Sequence, residues 1–266
     1  MTAQPAADRF FDVEGGRVRA DVREGDGPVL IFLHYWGGSR RTWGPVLRRL
    51  DPGTGFVAYD QRGWGDSANL PGPYGLERLA DDAQRVVDAA GASGFVLVGH
   101  SMGGKVAQLL AARRPKGLAG VVLVAPAPPA PVGVTGQVRE AVSHAYDSEE
   151  TVLQGIEHML THRELSAELR RQVVEDSLSA GEEARLTWPR QSMVQDLSAG
   201  VAAIDVPVLV LAGSHDKVDP PAVLADHLLP LIPTASLAVL TGTGHLSPLE
   251  VPDQVAAHLG AFVARL

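Results

Sequence analysis

Apolar residues recur along this chain in two rhythms. Pro28–Leu33, Phe56–Tyr59 and Val121–Ala125 are short apolar runs bounded by turn residues, the pattern of buried strands, and Phe95–Val98, Pro207–Ala212 and Leu237–Leu240 are three more strand candidates. Arg17–Val22 instead alternates, which predicts an exposed antiparallel strand. Leu76, Leu79, Ala80, Ala83, Val86, Val87 and Ala90 keep a spacing of three and four. That predicts an amphipathic helix with Asp81, Asp82, Arg85 and Asp88 on its outer side. Further helices are expected over Val106–Ala112, near Pro221–Leu229, and from Pro252 to the C-terminus. Strands alternating with helices predict an α/β protein with a mostly parallel sheet covered on both faces.

The rhythm breaks after a proline-rich exit at Pro126, Pro128, Pro129 and Pro131. No strand candidate follows until residue 204, and helical patterns run over Val138–Tyr146, Thr151–Leu160, Ala167–Leu178 and Glu182–Trp188. Residues 127–203 are therefore expected to form a helical insertion between two strands of a core made by residues 1–126 and 204–266. The segment is too short and too interrupted to own a core.

Composition narrows the partners. A formal net charge of −8, without a Lys/Arg cluster, argues against nucleic acid or an anionic membrane as a partner. The nearest basic run, Arg113-Arg114-Pro115-Lys116, reads as a helix C-terminus whose cations complement the dipole. With no cysteine there is no disulfide framework, no Cys-based metal site and no cysteine nucleophile. Met1–Arg9 lacks a basic segment followed by an apolar core, so no signal peptide is read. No apolar run approaches the roughly 18 residues that span a bilayer. The expectation is a soluble, cytoplasmic protein acting on a small molecule; the sequence is silent on oligomeric state.

The candidate chemistry starts at Gly99-His100-Ser101-Met102-Gly103-Gly104, between an apolar run and a small-residue helical stretch. A strand–turn–helix of this form exposes the serine at the tip of a turn so tight that Gly99 and Gly103 must lack side chains. The helix N-terminus beneath favours developing negative charge. A serine hydroxyl needs an adjacent base that is itself oriented by a third group, and near neutral pH that base is histidine. Of nine histidines, His245 lies in Thr241–Pro248, after the last expected strand and on the same sheet edge as the elbow. The acid is Asp216 or Asp219, both just after the run that ends at Ala212; either also suits a cap of the helix that follows. His100 is expected to point into the sheet edge and His215 to be a structural neighbour. His158 and His162, four apart on a predicted helix, have metal-ligand spacing but no third ligand nearby, so they read as a solvated face.

Four separated motifs carry a resemblance. They are Leu33–Ser39 (LHYWGGS), Tyr59–Ser67 (YDQRGWGDS), the Ser101 elbow, and the loops holding Asp216 and His245. Together they resemble serine hydrolases of the α/β-hydrolase superfamily, in the branch with a helical cap. The resemblance implies the α/β-hydrolase fold, a Ser101, Asp216, His245 triad, and no cofactor or metal. It implies an oxyanion hole from the backbone N–H groups of Met102 and Trp36, although Tyr35 stands where the family has glycine. It implies that Arg62 braces the loops near the site. A serine at the elbow sets the chain apart from relatives with an aspartate or cysteine nucleophile. Attack on an ester, a lactone, a thioester or a carbon–carbon bond beside a ketone remains, and perhydrolases share the Ser-Met-Gly-Gly elbow.

His34, Tyr35, Trp188, Met193 and Leu246 are expected to line a largely apolar pocket. The reading is a cofactor-free hydrolase of a small ester or lactone. Its alternatives are a C–C bond hydrolase acting on a diketone-like substrate, and a ligand receptor or pseudoenzyme on the same fold. A dinucleotide oxidoreductase is disfavoured because no Gly-x-Gly-x-x-Gly follows the early strand.

Overall fold

A computed structural model of the chain describes residues 6–266; Met1–Pro5, part of the segment read for a leader, lie outside the described residues. Eight strands form one sheet in the order β1-β2-β4-β3-β5-β6-β7-β8. They are β1 (Ala7–Val13), β2 (Gly16–Arg23), β3 (Asp26–Leu33), β4 (Thr54–Tyr59), β5 (Phe95–His100), β6 (Leu118–Val124), β7 (Val208–Gly213) and β8 (Ala235–Leu240). β2 is antiparallel to both β1 and β4, while every pair from β4 through β8 is parallel. This is the expected α/β-hydrolase architecture.

Cover on both faces explains the unbroken apolar runs of β3 to β7; β8, at the edge of the sheet, buries only Leu240 and leaves Val239 exposed. Along β3, Leu30 and Phe32 pack with Trp43, Val46, Val255 and Leu259, whereas Ile31 and Leu33 pack with Ala83, Val86, Val106 and Leu110. The first face is covered by the short helix Gly44–Leu47 and the last helix, Pro252–Val263. The second is covered by the helices Leu76–Ala90 and Met102–Ala112.

Two expectations are corrected here. β2 is not an exposed strand: flanked by β1 and β4, it buries Val18, Ala20 and Val22. Asp82 is not on the outer side of its helix. It is buried against the Arg62 guanidinium, with contacts of 2.7 and 2.9 Å. Arg62 also donates to the carbonyls of Pro71 and Glu14, both at 2.6 Å. Periodicity assigns charge to solvent, but a buried carboxylate is tolerated when a fixed cation meets it.

Between β6 and β7 lie the helices Gly136–Ser143, Glu149–Gly155, Ala167–Leu178 and Glu182–Arg190. Ile156–Leu160 continues the second as a π-helical turn. The first three begin where Thr135, Ser148 and Ser166 accept a backbone N–H of the opening turn. Tyr146, Val152, Ile156, Val173 and Trp188 join the same buried cluster as Trp36, Met102 and Leu246. No helix among the described residues is long and apolar enough to cross a membrane.

Candidate active site

Ser101 joins β5 to the helix Met102–Ala112 with φ 52° and ψ −113°, a conformation that costs a non-glycine residue energy. The surroundings hold it there. Its N–H donates to the Val124 carbonyl at 3.1 Å, and its carbonyl accepts from Lys105 N–H at 3.1 Å. A Cβ on Gly99 would stand 2.4 Å from the Gly103 carbonyl oxygen, and one on Gly103 would stand 2.5 Å from that of Leu33. Only glycine permits this approach of turn and strand. Ser101 retains 8% exposure, and its hydroxyl makes no hydrogen bond among the described residues.

His245 follows β8 and Asp216 follows β7, so parallel pairing brings both to the sheet edge where β5 delivers Ser101. The loops are stitched directly. His215 N–H donates to the Thr243 carbonyl and Ser214 N–H to that of Leu240, both at 2.9 Å. His245 Nδ1 stands 2.9 Å from Asp216 Oδ2. A carboxylate only accepts, so Nδ1 carries the proton and the neutral ring keeps its free lone pair on Nε2. Asp216 Oδ1 accepts from Val218 N–H at 2.8 Å and Asp219 N–H at 3.1 Å.

The electrostatics agree with this arrangement. Burial would raise the Asp216 pKa, yet the attraction and hydrogen bond of His245, together with the two backbone N–H groups, hold it below the usual carboxylate value. Burial would lower the His245 pKa, but Asp216 foremost, with Asp219 and Glu250, raises it above the ordinary histidine value. Asp219 is buried, and its carboxylate accepts no hydrogen bond among the described residues. Burial and the charge of Asp216 push its pKa up to about 7, against the pull of His245 and Lys105. Neither aspartate caps the following helix, Pro221–His227, whose N-cap is Pro220 without a side-chain bond.

His100 donates from Nε2 to the His245 carbonyl at 2.8 Å, beneath the loop. Burial foremost, then the neighbouring His245, lowers its pKa to about 3, so it stays neutral. His162 lies beyond the helical turn that holds His158; its ring stacks on that of His215 at 3.6 Å. Among the described residues no group of three or more His, Cys, Asp or Glu is placed to hold a metal ion.

Met102 opens the elbow helix, so its N–H has no intrahelical acceptor. Neither it nor the Trp36 N–H donates to any group among the described residues. Trp188, Leu246, Met102 and Trp36 share one buried cluster, with Met193 packed against it. His34 is not placed as expected. The fully buried His34 donates from Nδ1 to the Tyr35 carbonyl at 2.8 Å and accepts at Nε2 from Gln61 N–H at 3.0 Å, leaving no nitrogen for a ligand. Tyr35 is buried in the same cluster as Trp36 and Met102, its ring 5.1 Å from the His100 ring between centroids. His34 braces the loop instead of lining a pocket.

Sequence reasoning missed Tyr146, Glu250 and Lys105. Tyr146 and Glu250 hold backbone groups of the two loops flanking Ser101. Lys105, almost fully buried in the elbow helix, has its pKa lowered to about 8 by burial, with Asp196 and Asp219 opposing. A lysine in a helix whose other residues are uncharged was the available signal.

Residues 30–258 match a family model described as the alpha/beta hydrolase family. The chain is 27% identical, over 99% of its length and 98% of the relative's, to a bifunctional esterase/perhydrolase of Acinetobacter calcoaceticus. It is 28% identical to a non-heme haloperoxidase of Rhodococcus erythropolis, over 90% of this chain and 93% of that protein. Among solved structures it is similar to an esterase from Exiguobacterium antarcticum, with a TM-score of 0.86 and 22% identity over 97% of this chain and 100% of that one.

Proposed function

Given that the chain belongs to the alpha/beta hydrolase family, we propose that it is a serine hydrolase acting on a carboxylic ester or lactone of a small, largely apolar substrate. The observation that carries this reading is the Asp216–His245 pair, held at 2.9 Å on the sheet edge where the strained elbow presents Ser101. In the reaction, His245 Nε2 takes the Ser101 proton as Oγ attacks the carbonyl carbon. The oxyanion of the tetrahedral intermediate meets the free N–H groups of Trp36 and Met102. Its collapse breaks the bond to the alcohol, which leaves with the proton held by His245. Water then attacks the acyl-Ser101 ester by the same relay and releases the acid.

Residues 127–203 act in this reading as a cap, with Trp36, Met102, Trp188, Met193 and Leu246 supplying the apolar surface around the acyl group. A second reading is favoured by the relatives named as an esterase/perhydrolase and a haloperoxidase. In it hydrogen peroxide replaces water against the same acyl-enzyme and the product is a peracid.

The test is an intact-mass measurement after treatment with an alkyl fluorophosphonate. One adduct on the wild-type chain and none on Ser101→Ala is expected. An unmodified wild-type chain would count against an activated serine.

A further inference from the structure

The insertion between β6 and β7 holds every polar group of Trp36 but one. Tyr146 Oη donates to the Trp36 carbonyl at 2.8 Å, and the Trp36 indole Nε1–H donates to the Arg185 carbonyl at 3.0 Å. The Trp36 and Tyr146 rings stack with centroids 4.1 Å apart and 27° between their planes. Only the amide N–H of Trp36 is without a partner among the described residues.

The next residue extends the grip. Gly37 has φ 88°, and a Cβ there would lie 2.4 Å from the Tyr146 ring and hydroxyl. Its carbonyl accepts from Ser177 Oγ, also on the insertion, at 3.0 Å. Tyr146 is 6% exposed, and burial raises its pKa above the ordinary tyrosine value, so the hydroxyl remains a donor through neutral and mildly alkaline pH.

A loop containing Gly37 and Gly38 has little stiffness of its own. A donor stabilises an oxyanion only if it is already held where the charge develops. We propose that Tyr146 is a positioning residue for the oxyanion hole, fixing Trp36 from the insertion so that its N–H faces the carbonyl oxygen of the substrate. The proposal rests on the acyl-serine reading. It makes the insertion part of the hole, so that displacing the insertion at Tyr146 releases the second donor.

The test compares the wild-type chain with Tyr146→Phe, which keeps the stacked ring and removes only the hydroxyl. kcat and KM are measured with p-nitrophenyl acetate, and the rate of Ser101 phosphonylation with an alkyl fluorophosphonate. The expected result is a kcat lower by about 10- to 100-fold, phosphonylation slower by a similar factor, and KM changed by less than about 3-fold. Ser177→Ala, which loses the bond to the neighbouring carbonyl, is expected to move kcat in the same direction by less. It serves as the deciding variant should Tyr146→Phe fail to fold. Unchanged kcat and phosphonylation in the folded variant, or a raised KM with kcat intact, would overturn the proposal while leaving the serine mechanism standing. Failure of the wild-type chain itself to label at Ser101 would remove both.

Discussion

His245 and Asp216, twenty-nine residues apart, meet at 2.9 Å through Nδ1 and Oδ2. The remaining oxygen of Asp216 is occupied by two N–H groups of its own loop. The carboxylate is thus fixed before it meets the imidazole, and the imidazole is fixed in one tautomer. Pre-set geometry of this kind lets a histidine take a proton from serine and return it without reorganising.

If this pair serves Ser101, removing the nucleophile or the base abolishes nearly all turnover. Ser101→Ala and His245→Ala are expected to lower kcat by roughly four to six powers of ten, and Asp216→Asn by about four. Because the three act as a unit, the double variant Ser101→Ala/His245→Ala is expected to be no worse than either single one. Steady-state kinetics on an activated ester checks this, and near-wild-type rates in both single variants would refute the assignment.

The pH profile follows from the groups around His245. The base must be neutral to accept the proton, and Asp216, Asp219 and Glu250 raise its pKa above 6.5 against burial, with the neutral His100 beneath. kcat/KM is therefore expected to fall on the acid side with a midpoint above 6.5. Asp219→Asn removes one raising charge and is expected to lower that midpoint. The same substitution reports on stability. A carboxyl whose folded pKa is raised to about 7 binds more protons in the folded state, so its presence lowers stability as pH rises through that value. Asp219→Asn is expected to unfold at a higher temperature than wild type at pH 8 and to show little gain at pH 4. An equal gain at both pH values would contradict the sign.

What was legible in the sequence was what local sterics dictate. The elbow is readable because the glycines, the serine and the flanking elements must be contiguous for the turn to exist. The buried strands were readable because cover on both faces leaves no polar position. β1 escaped because only Phe11 and Val13 of Ala7–Val13 are buried, so its apolar signal is short. The choice between Asp216 and Asp219 also lay beyond spacing, since both follow β7 within one turn; backbone direction decides which carboxylate faces Nδ1. Asp82, Tyr146 and Glu250 were hidden for a shared reason. Each engages a group far away in the chain, a guanidinium or a backbone amide or carbonyl, that leaves no residue pattern beside it.

The buried Arg62–Asp82 pair carries a stability prediction separate from chemistry. Each side chain is 1% exposed, and Arg62 also binds two carbonyls from other loops. Asp82→Ala would strand the guanidinium without its counter-charge, and is expected to cost about 3–5 kcal/mol in denaturant unfolding. The kcat of the folded fraction is expected to stay within about 3-fold of wild type. A larger loss of kcat would show that the brace reaches the site.

Glu250 joins the His245 loop to the insertion through backbone alone. Its Oε1 accepts from Gly244 N–H at 3.0 Å, and its Oε2 accepts from His162 N–H and Arg163 N–H, each at 2.8 Å. Beside it, Leu246 N–H donates to the Leu160 carbonyl at 3.0 Å, so the residues on both sides of His245 are tied to one stretch of the insertion. Glu250→Gln keeps the size but replaces one acceptor oxygen with a donor that faces other donors. It also removes a charge that raises the His245 pKa. Two changes are expected together: kcat/KM lower by about 10- to 100-fold from misplacement of the base, and a lower midpoint of the acid limb. Measuring the full pH profile separates the roles. A lower unfolding temperature with an unmoved midpoint and unchanged kcat/KM would mean that Glu250 holds only the chain, and that the base is positioned by Asp216 and His100 without it.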